Sequence, residues 1–166
     1  MQQQILEYIE IKKSGIHSNG AFARCFIPKG TRIIEYIGRK IKKNEADEIA
    51  DKELENHKKD SSKGAVYIFE LNDEYDIDGN VPWNMAKYIN HSCSPNAEVE
   101  IENDRIWIIA MRDINSGEEI TYDYGYDLDE WEDHPCNCGS KNCIGYIISR
   151  DEWDKFKEIK KENSKN

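Results

Sequence analysis

Apolar and polar positions alternate along most of the first two thirds of the chain. Ile9 and Ile11 alternate with Glu10 and Lys12, a half-buried strand. Ile33, Ile34 and Ile37 form a β-branched run that stops at Gly38, and Val66 to Leu71 is a further strand ended by Asn72-Asp73. Ala97, Val99 and Ile101 alternate with Glu98, Glu100 and Glu102. Asn103-Asp104 then makes a turn, and Ile106 to Ala110 returns as the hairpin partner. Residues 41–62 break the pattern. From Ile41-Lys42-Lys43 to Lys59-Asp60 the chain is rich in charge and helix formers. It predicts an exposed helix and a loop ending at Ser61-Ser62-Lys63-Gly64, read as a solvated insert without chemistry. A second helix is expected over 150–162. Ser149-Arg150-Asp151-Glu152 fits a capping box, and Trp153, Phe156 and Ile159 form an apolar stripe that must dock on something. The fold class is therefore mainly β with short helices, in one domain with a cysteine-rich tail.

Composition narrows the function classes. The chain has 166 residues, 38% hydrophobic and 34% charged, enough for one domain with a real core. Its net charge of −10 argues against direct binding of nucleic acid and favours a basic protein or peptide partner. No apolar run approaches membrane-spanning length, so no membrane partner is expected. Met1-Gln2-Gln3-Gln4 opens no basic-then-apolar leader, and a cytoplasmic or nuclear setting is the expectation.

The cysteines add chemistry. There are five, an odd number without an export signal, which disfavours disulfides and favours a metal. Cys136, Cys138 and Cys143 lie within eight residues, around a tight bend at Gly139-Ser140. Structural zinc takes four ligands, often all cysteine, so a fourth must come from elsewhere. By spacing alone the candidates are Cys93 and Cys25.

Three segments resemble the SET-domain protein lysine methyltransferases. They are Ser14 to Ala23, Tyr88-Ile89-Asn90-His91-Ser92-Cys93-Ser94-Pro95-Asn96, and Gly117 to Gly125 with Tyr122-Asp123-Tyr124. Shorter matches at Pro28-Lys29-Gly30, Glu35 to Gly38, Tyr67-Ile68-Phe69 and Ile77-Asp78-Gly79 follow in the family's order, and the likeness spans roughly 8–148. The tail resembles the family's post-SET zinc motif, in which Cys93 is the fourth ligand. Departures are Ser18 and Trp83 where glycines are usual, and Lys87 where arginine is common.

The resemblance implies small curved sheets around a knot-like crossing, where Asn90-His91 meets Tyr122 to Tyr124. It divides the chain into a catalytic domain at 1–128, with a variable helical insert at about 41–64, and a tail with its helix at 129–166. It implies S-adenosylmethionine as methyl donor and zinc in the tail. Tyr124 would be the catalytic tyrosine, orienting the amine rather than acting as a base, since a phenol of pKa near 10 is a poor base at neutral pH. Tyr122 and Tyr67 would wall the lysine channel, with a packing role as the alternative for Tyr67. Asn90 and His91 would hold the cofactor, with His17, Ser18, Asn19 and Gly20 at its amino-acid end and Tyr36 and Lys87 as further members. His57 and His134 are read as solvated and Cys25 as an inert buried thiol.

The family's position at Tyr122 gates product state, so mono-methylation with some di-methylation is expected. Histone tails are the commonest target in the family. Short stand-alone relatives in bacteria and viruses act on host or non-histone proteins. Two rivals remain at this level. One is an inactive module that holds lysine or methyl-lysine peptides. The other is a zinc-stabilised scaffold, which leaves the Asn90-His91 and Tyr122 to Tyr124 segments unexplained.

Overall fold

A computed structural model describes residues 6–59, 66–129 and 131–163, so the predicted end of the insert at Ser61 to Gly64 and the start at Met1 to Gln4 lie outside the described residues. The Ile9/Ile11 alternation forms β1 (Ile9–Lys13), which pairs antiparallel with β2 (Asn19–Ala23), Ile9 facing Ala23. The second strand was not anticipated, because Asn19-Gly20-Ala21 reads as loop. β3 (Arg32–Tyr36) buries both Ile33 and Ile34, and a register shift between Arg32 and Ile34 lets neighbouring side chains face the core.

The expected helix start at residue 41 is instead a strand, β4 (Arg39–Lys42), whose Ile41 is buried. Helix α1 (Lys43–Lys59) follows directly. The Val66 to Leu71 candidate shortens to β5 (Ile68–Glu70). β6 (Tyr75–Asp78) lies between β4 and β5 as the centre of a three-stranded sheet. Acidic residues hid it: Asp76 and Asp78 are buried, and they are tolerated because Lys43 reaches Asp76 at 2.7 Å and Arg39 pairs with Asp78.

β7 (Asn90–His91) precedes the predicted hairpin of β8 (Ala97–Glu102) and β9 (Arg105–Ala110). Asn103 and Asp104 both take positive φ, 52° and 58°, as a two-residue hairpin of right-handed twist requires. β9 is the centre of the β3-β9-β8 sheet. The alternation fades toward the turn, where Ile101 is 46% exposed.

β10 (Thr121–Tyr122) pairs with β7 in parallel, Thr121 beside Asn90 and Tyr122 beside His91. Two strands of two residues cannot hold this crossing by themselves. Buried Asn96 reinforces it: its Nδ2 donates to Glu119 O at 2.9 Å, and its Oδ1 accepts from Thr121 N at 2.9 Å. The core beneath is built largely from isoleucines, with Ile27, Ile89, Ile106, Ile108, Ile114 and Ile120 all fully buried.

In the tail, a 3₁₀ turn at Arg150–Glu152 leads into α2 (Trp153–Asn163). Ser149 makes no side-chain cap, contrary to the capping-box expectation. Its backbone carbonyl accepts from Glu152 N at 2.9 Å instead. The predicted stripe docks on the tail. Phe156 is buried, and its ring meets Trp131 and Tyr146 edge-on at 5.1 and 5.7 Å, with the Lys160 ammonium over the cluster.

Candidate active site and metal cluster

The β7/β10 crossing delivers the candidate side chains to one cavity of about 1450 Å³. His17, Ser18 and Asn19 line it from the β1–β2 loop, and Asn90 and His91 from β7. Tyr67, Tyr122 and Tyr124 line it with Tyr36, Phe69 and Lys87. Cys136 and Asn137 bring the tail to the same space.

The β1–β2 loop is fastened to the crossing beneath it. Asn90 Nδ2 donates to Glu119 Oε1 at 2.8 Å and to Asn19 O at 3.1 Å. Ser14 Oγ donates to Glu119 Oε1 at 2.7 Å and accepts from Ile16 N at 2.9 Å. Gly20 lies against that carboxylate so closely that a β-carbon would collide with Glu119 Oε1. Ser18 stands where the chain takes φ of 27°, a left-handed conformation suited to glycine.

The tyrosines form a continuous aromatic wall. Tyr36 packs on Phe69 at 5.1 Å, Phe69 on Tyr122 at 6.1 Å, Tyr122 on Tyr124 at 4.9 Å and Tyr124 on Tyr126 at 5.7 Å. Burial raises the phenol pKa of Tyr36, Tyr122 and Tyr124, and brings Tyr126 to about 12. All four stay protonated at neutral pH. The Tyr124 hydroxyl donates to Ile89 O at 3.0 Å, so its hydrogen is fixed and its lone pairs are left as acceptors. Tyr67 is a cavity wall rather than a packed core residue. Tyr36 donates its hydroxyl to Tyr67 O at 2.8 Å, and the Lys87 ammonium lies 5.9 Å from the Tyr67 ring while donating to Val81 O at 3.1 Å.

His91 joins the tyrosines to the cysteines. Its Nδ1 accepts from Tyr124 N at 3.2 Å, which leaves the ring proton on Nε2, 3.6 Å from Cys93 Sγ. Burial takes the imidazole down to about 4, against the pull of the Asp123 carboxylate, so the ring is neutral.

Cys93, Cys136, Cys138 and Cys143 place their sulfurs within 4.8 Å of one another. Cys93 Sγ is 3.8 Å from Cys136 Sγ and 3.9 Å from Cys143 Sγ. Zinc–sulfur bonds of about 2.3 Å in a tetrahedron put sulfurs about 3.8 Å apart, so donor set and spacing fit a closed structural zinc site. Backbone N–H groups of Cys93 and Gly145 point at Cys138 Sγ and Cys143 Sγ, each at 3.4 Å, as thiolates require. Burial opposes the Cys138 thiolate, but hydrogen bonds from Ser140 and Cys93 outweigh it and bring the thiol to about 6. Burial takes Cys93 up to about 12. A bound cation would hold both as thiolates.

Three readings need correction. Cys25 is exposed, not buried, and lies outside the cluster. His57 is half-buried on α1, with its ring 6.4 Å from that of His17, and His134 is half-buried against Tyr126 at 4.7 Å. The charged insert is not clear of the chemistry, because Asp47, Ala50, Glu53, Leu54 and His57 of α1 line the cavity. Sequence reasoning also missed Phe69, Tyr126 and Glu119 as site residues. Phe69 carried a signal, since it lies two residues from Tyr67 and so on the same face of a strand.

Comparison with known proteins agrees with this geometry. The family model of the SET domain matches residues 18–125. Histone-lysine N-methyltransferase trr of Drosophila melanogaster is 40% identical over 149 residues, 86% of this chain and 6% of the relative. Histone-lysine N-methyltransferase 2D of Homo sapiens is 38% identical over 140 residues, 81% of this chain and 2% of the relative. An H3 lysine-4 specific histone-lysine N-methyltransferase of Emericella nidulans is 36% identical over 146 residues, 84% of this chain and 12% of the relative. The chain thus spans a small part of the length of these relatives. Among solved structures, KRYPTONITE in complex with mCHG DNA and SAH superposes with a TM-score of 0.67 at 28% identity, over 86% of this chain and 30% of that one. With a family match over most of its length, and with the crossing, aromatic wall and cysteine cluster in place, this chain belongs to the SET-domain family.

Proposed function

We propose that the chain is an S-adenosylmethionine-dependent protein-lysine N-methyltransferase, acting on a lysine in a histone tail or another basic protein segment and adding mainly one methyl group. The observation that carries this reading is the Tyr124 hydroxyl. It is anchored on Ile89 O at 3.0 Å, in a cavity shared with Tyr67, Tyr122, Asn90 and His91. The histone-lysine methyltransferase names of its relatives support the reaction class.

When bound, S-adenosylmethionine supplies an electrophilic methyl on a cationic sulfonium, whose charge also disfavours an ammonium beside it. Everything else falls to the chain. The loop at 17–20 and Asn90 would cradle the cofactor's polar end, from a base tied together by Glu119. Tyr67, Phe69 and Tyr122 sheathe the lysine stem and exclude water, and their faces attract its cationic forms. Tyr124 presents oxygen lone pairs that orient the neutral amine for in-line attack. Such alignment supplies a large share of the rate, on the order of 7–11 kcal/mol in favourable cases. A protonated Tyr124 has no role as a base, and its burial agrees with orientation. The cysteine cluster has no open ligand position, and its role is to hold the tail as a wall of the cavity.

The test is incubation with S-adenosylmethionine and a panel of basic proteins, read by mass spectrometry for methyl increments and their sites. Mass increases of single methyl units on lysine support the proposal. A protein that binds S-adenosylmethionine and lysine peptides yet transfers no methyl would instead be a lysine-binding module.

A further inference from the structure

Helix α1 turns one stripe inward: Ala46 is buried, and Ile49, Ala50, Glu53, Leu54 and His57 are half-buried. The steps of three and four residues make a single helix face. A carboxylate on such a face is costly unless it is hydrogen-bonded. Glu53 has those bonds. Its Oε2 accepts from the backbone N–H of Tyr67 at 3.0 Å, and its Oε1 accepts from Asn80 Nδ2 at 2.6 Å. Burial raises the carboxyl pKa above its ordinary value, and both hydrogen bonds pull it back.

Tyr67 stands one residue before β5, beyond the strand pairing that starts at Ile68. Its carbonyl is held by the Tyr36 hydroxyl at 2.8 Å and by Gly79 N at 2.9 Å. Its N–H goes to Glu53. The peptide group after Tyr67 is therefore fastened by the core and the one before it by the insert helix.

We propose that Glu53 is a positioning residue for the lysine channel, its carboxylate anchoring the Tyr67 main chain and so setting where the Tyr67 ring stands beside the reacting amine. The inference rests on the methyltransferase reading and adds to it a role for the variable insert. Glu53 lines the same cavity, and the role proposed for it is exerted through the Tyr67 main chain. A hydrogen-bond acceptor is required at this position, and a negative charge is not.

The test compares E53A and E53Q with the unaltered protein, by steady-state methylation of the best peptide from the panel and by amide hydrogen exchange at Tyr67. E53A is expected to lower kcat/KM for the peptide by about tenfold, the loss of one partly buried hydrogen bond. Cofactor affinity should change less than about twofold, and the Tyr67 amide should exchange faster. E53Q keeps a carbonyl acceptor, so it should retain most of the activity and the Tyr67 protection. If E53Q is as impaired as E53A in both readouts, charge rather than anchoring matters and the proposal fails. It fails equally if E53A leaves the Tyr67 exchange rate unchanged. Active unaltered protein beside an E53A variant of unchanged kcat/KM overturns the role of Glu53 alone. Unaltered protein that methylates no lysine overturns the methyltransferase reading itself.

Discussion

The side-chain amide of Asn90 donates to the Glu119 carboxylate at 2.8 Å and to Asn19 O at 3.1 Å, and so ties the β1–β2 loop to the β7/β10 crossing. The same carboxylate takes the Ser14 hydroxyl at 2.7 Å. Removing it leaves donors from two segments without their shared acceptor. Glu119→Ala is therefore expected to weaken S-adenosylmethionine binding by about tenfold while the protein stays folded. Glu119→Gln, which keeps one acceptor oxygen, should lose less. Calorimetric titration measures both. Equal affinity in Glu119→Ala and the unaltered protein would show that the loop needs no such base.

Tyr124→Phe removes the hydroxyl proposed to act at the reacting centre and leaves the ring packed between Tyr122 and Tyr126. Turnover should fall on the order of 100-fold, the range for deleting one oriented polar group at a transition state. Cofactor affinity should be nearly unchanged. Single-turnover kinetics separates the two. Near-normal turnover would assign the Tyr124 hydroxyl to holding Ile89 O and nothing more.

Ser18 occupies a left-handed position, φ 27°, in the β1–β2 loop. A side chain there costs backbone energy that glycine avoids, although glycine loses more entropy on folding. Ser18→Gly should raise stability by about 0.5–1 kcal/mol, seen as a thermal midpoint higher by about 1–4 °C. A lower midpoint would show that the hydroxyl holds more than the strain costs.

Much of this site was legible in the chain. Asn90-His91 and Tyr122 to Tyr124 read as meeting segments, and β7 and β10 do pair there. Cys93 with the three tail cysteines read as one cluster, and their sulfurs converge. What escaped was the insert. The inner stripe of α1 includes Glu53 and His57, so its periodicity is only partly apolar, and the charge on its other faces hides it. β6 escaped for the same reason, because buried Asp76 and Asp78 look like turn residues until Lys43 and Arg39 are seen beside them. Cys25 was misplaced because burial is typical of free cysteine as a type and does not decide one position.

The cysteine cluster predicts one zinc ion per chain. Elemental analysis of freshly prepared, reduced protein should find it, and Cys93→Ser should remove most of it while Cys25→Ser leaves it in place. Pro135, Cys136 and Asn137 wall the cavity. A chelator should therefore abolish methyl transfer before circular dichroism reports loss of the β-sheets. Metal-free protein of full activity would contradict this.

Tyr122 decides the last prediction, the number of methyl groups added. Its side chain is buried, and its ring lies 6.1 Å from Phe69 and 4.9 Å from Tyr124, so it would narrow the proposed lysine channel beside the amine. Burial raises its pKa well above the ordinary value near 10, so the hydroxyl stays protonated and can both donate and accept. It can hold an unmethylated amine, directly or through a water. A methylated amine is bulkier and carries fewer hydrogens to bond, so it meets a narrower space with a poorer match. Tyr122→Phe widens the channel and removes that polar demand. A change of about 1–3 kcal/mol is enough to alter a product ratio by about 5-fold to over 100-fold. The unaltered enzyme should give mainly monomethyl-lysine with some dimethyl-lysine, and Tyr122→Phe should shift products toward higher states. A mass-resolved time course on one peptide with both proteins measures this directly. Abundant trimethyl-lysine early in the reaction of the unaltered enzyme would show that the Tyr122 hydroxyl does not set the limit.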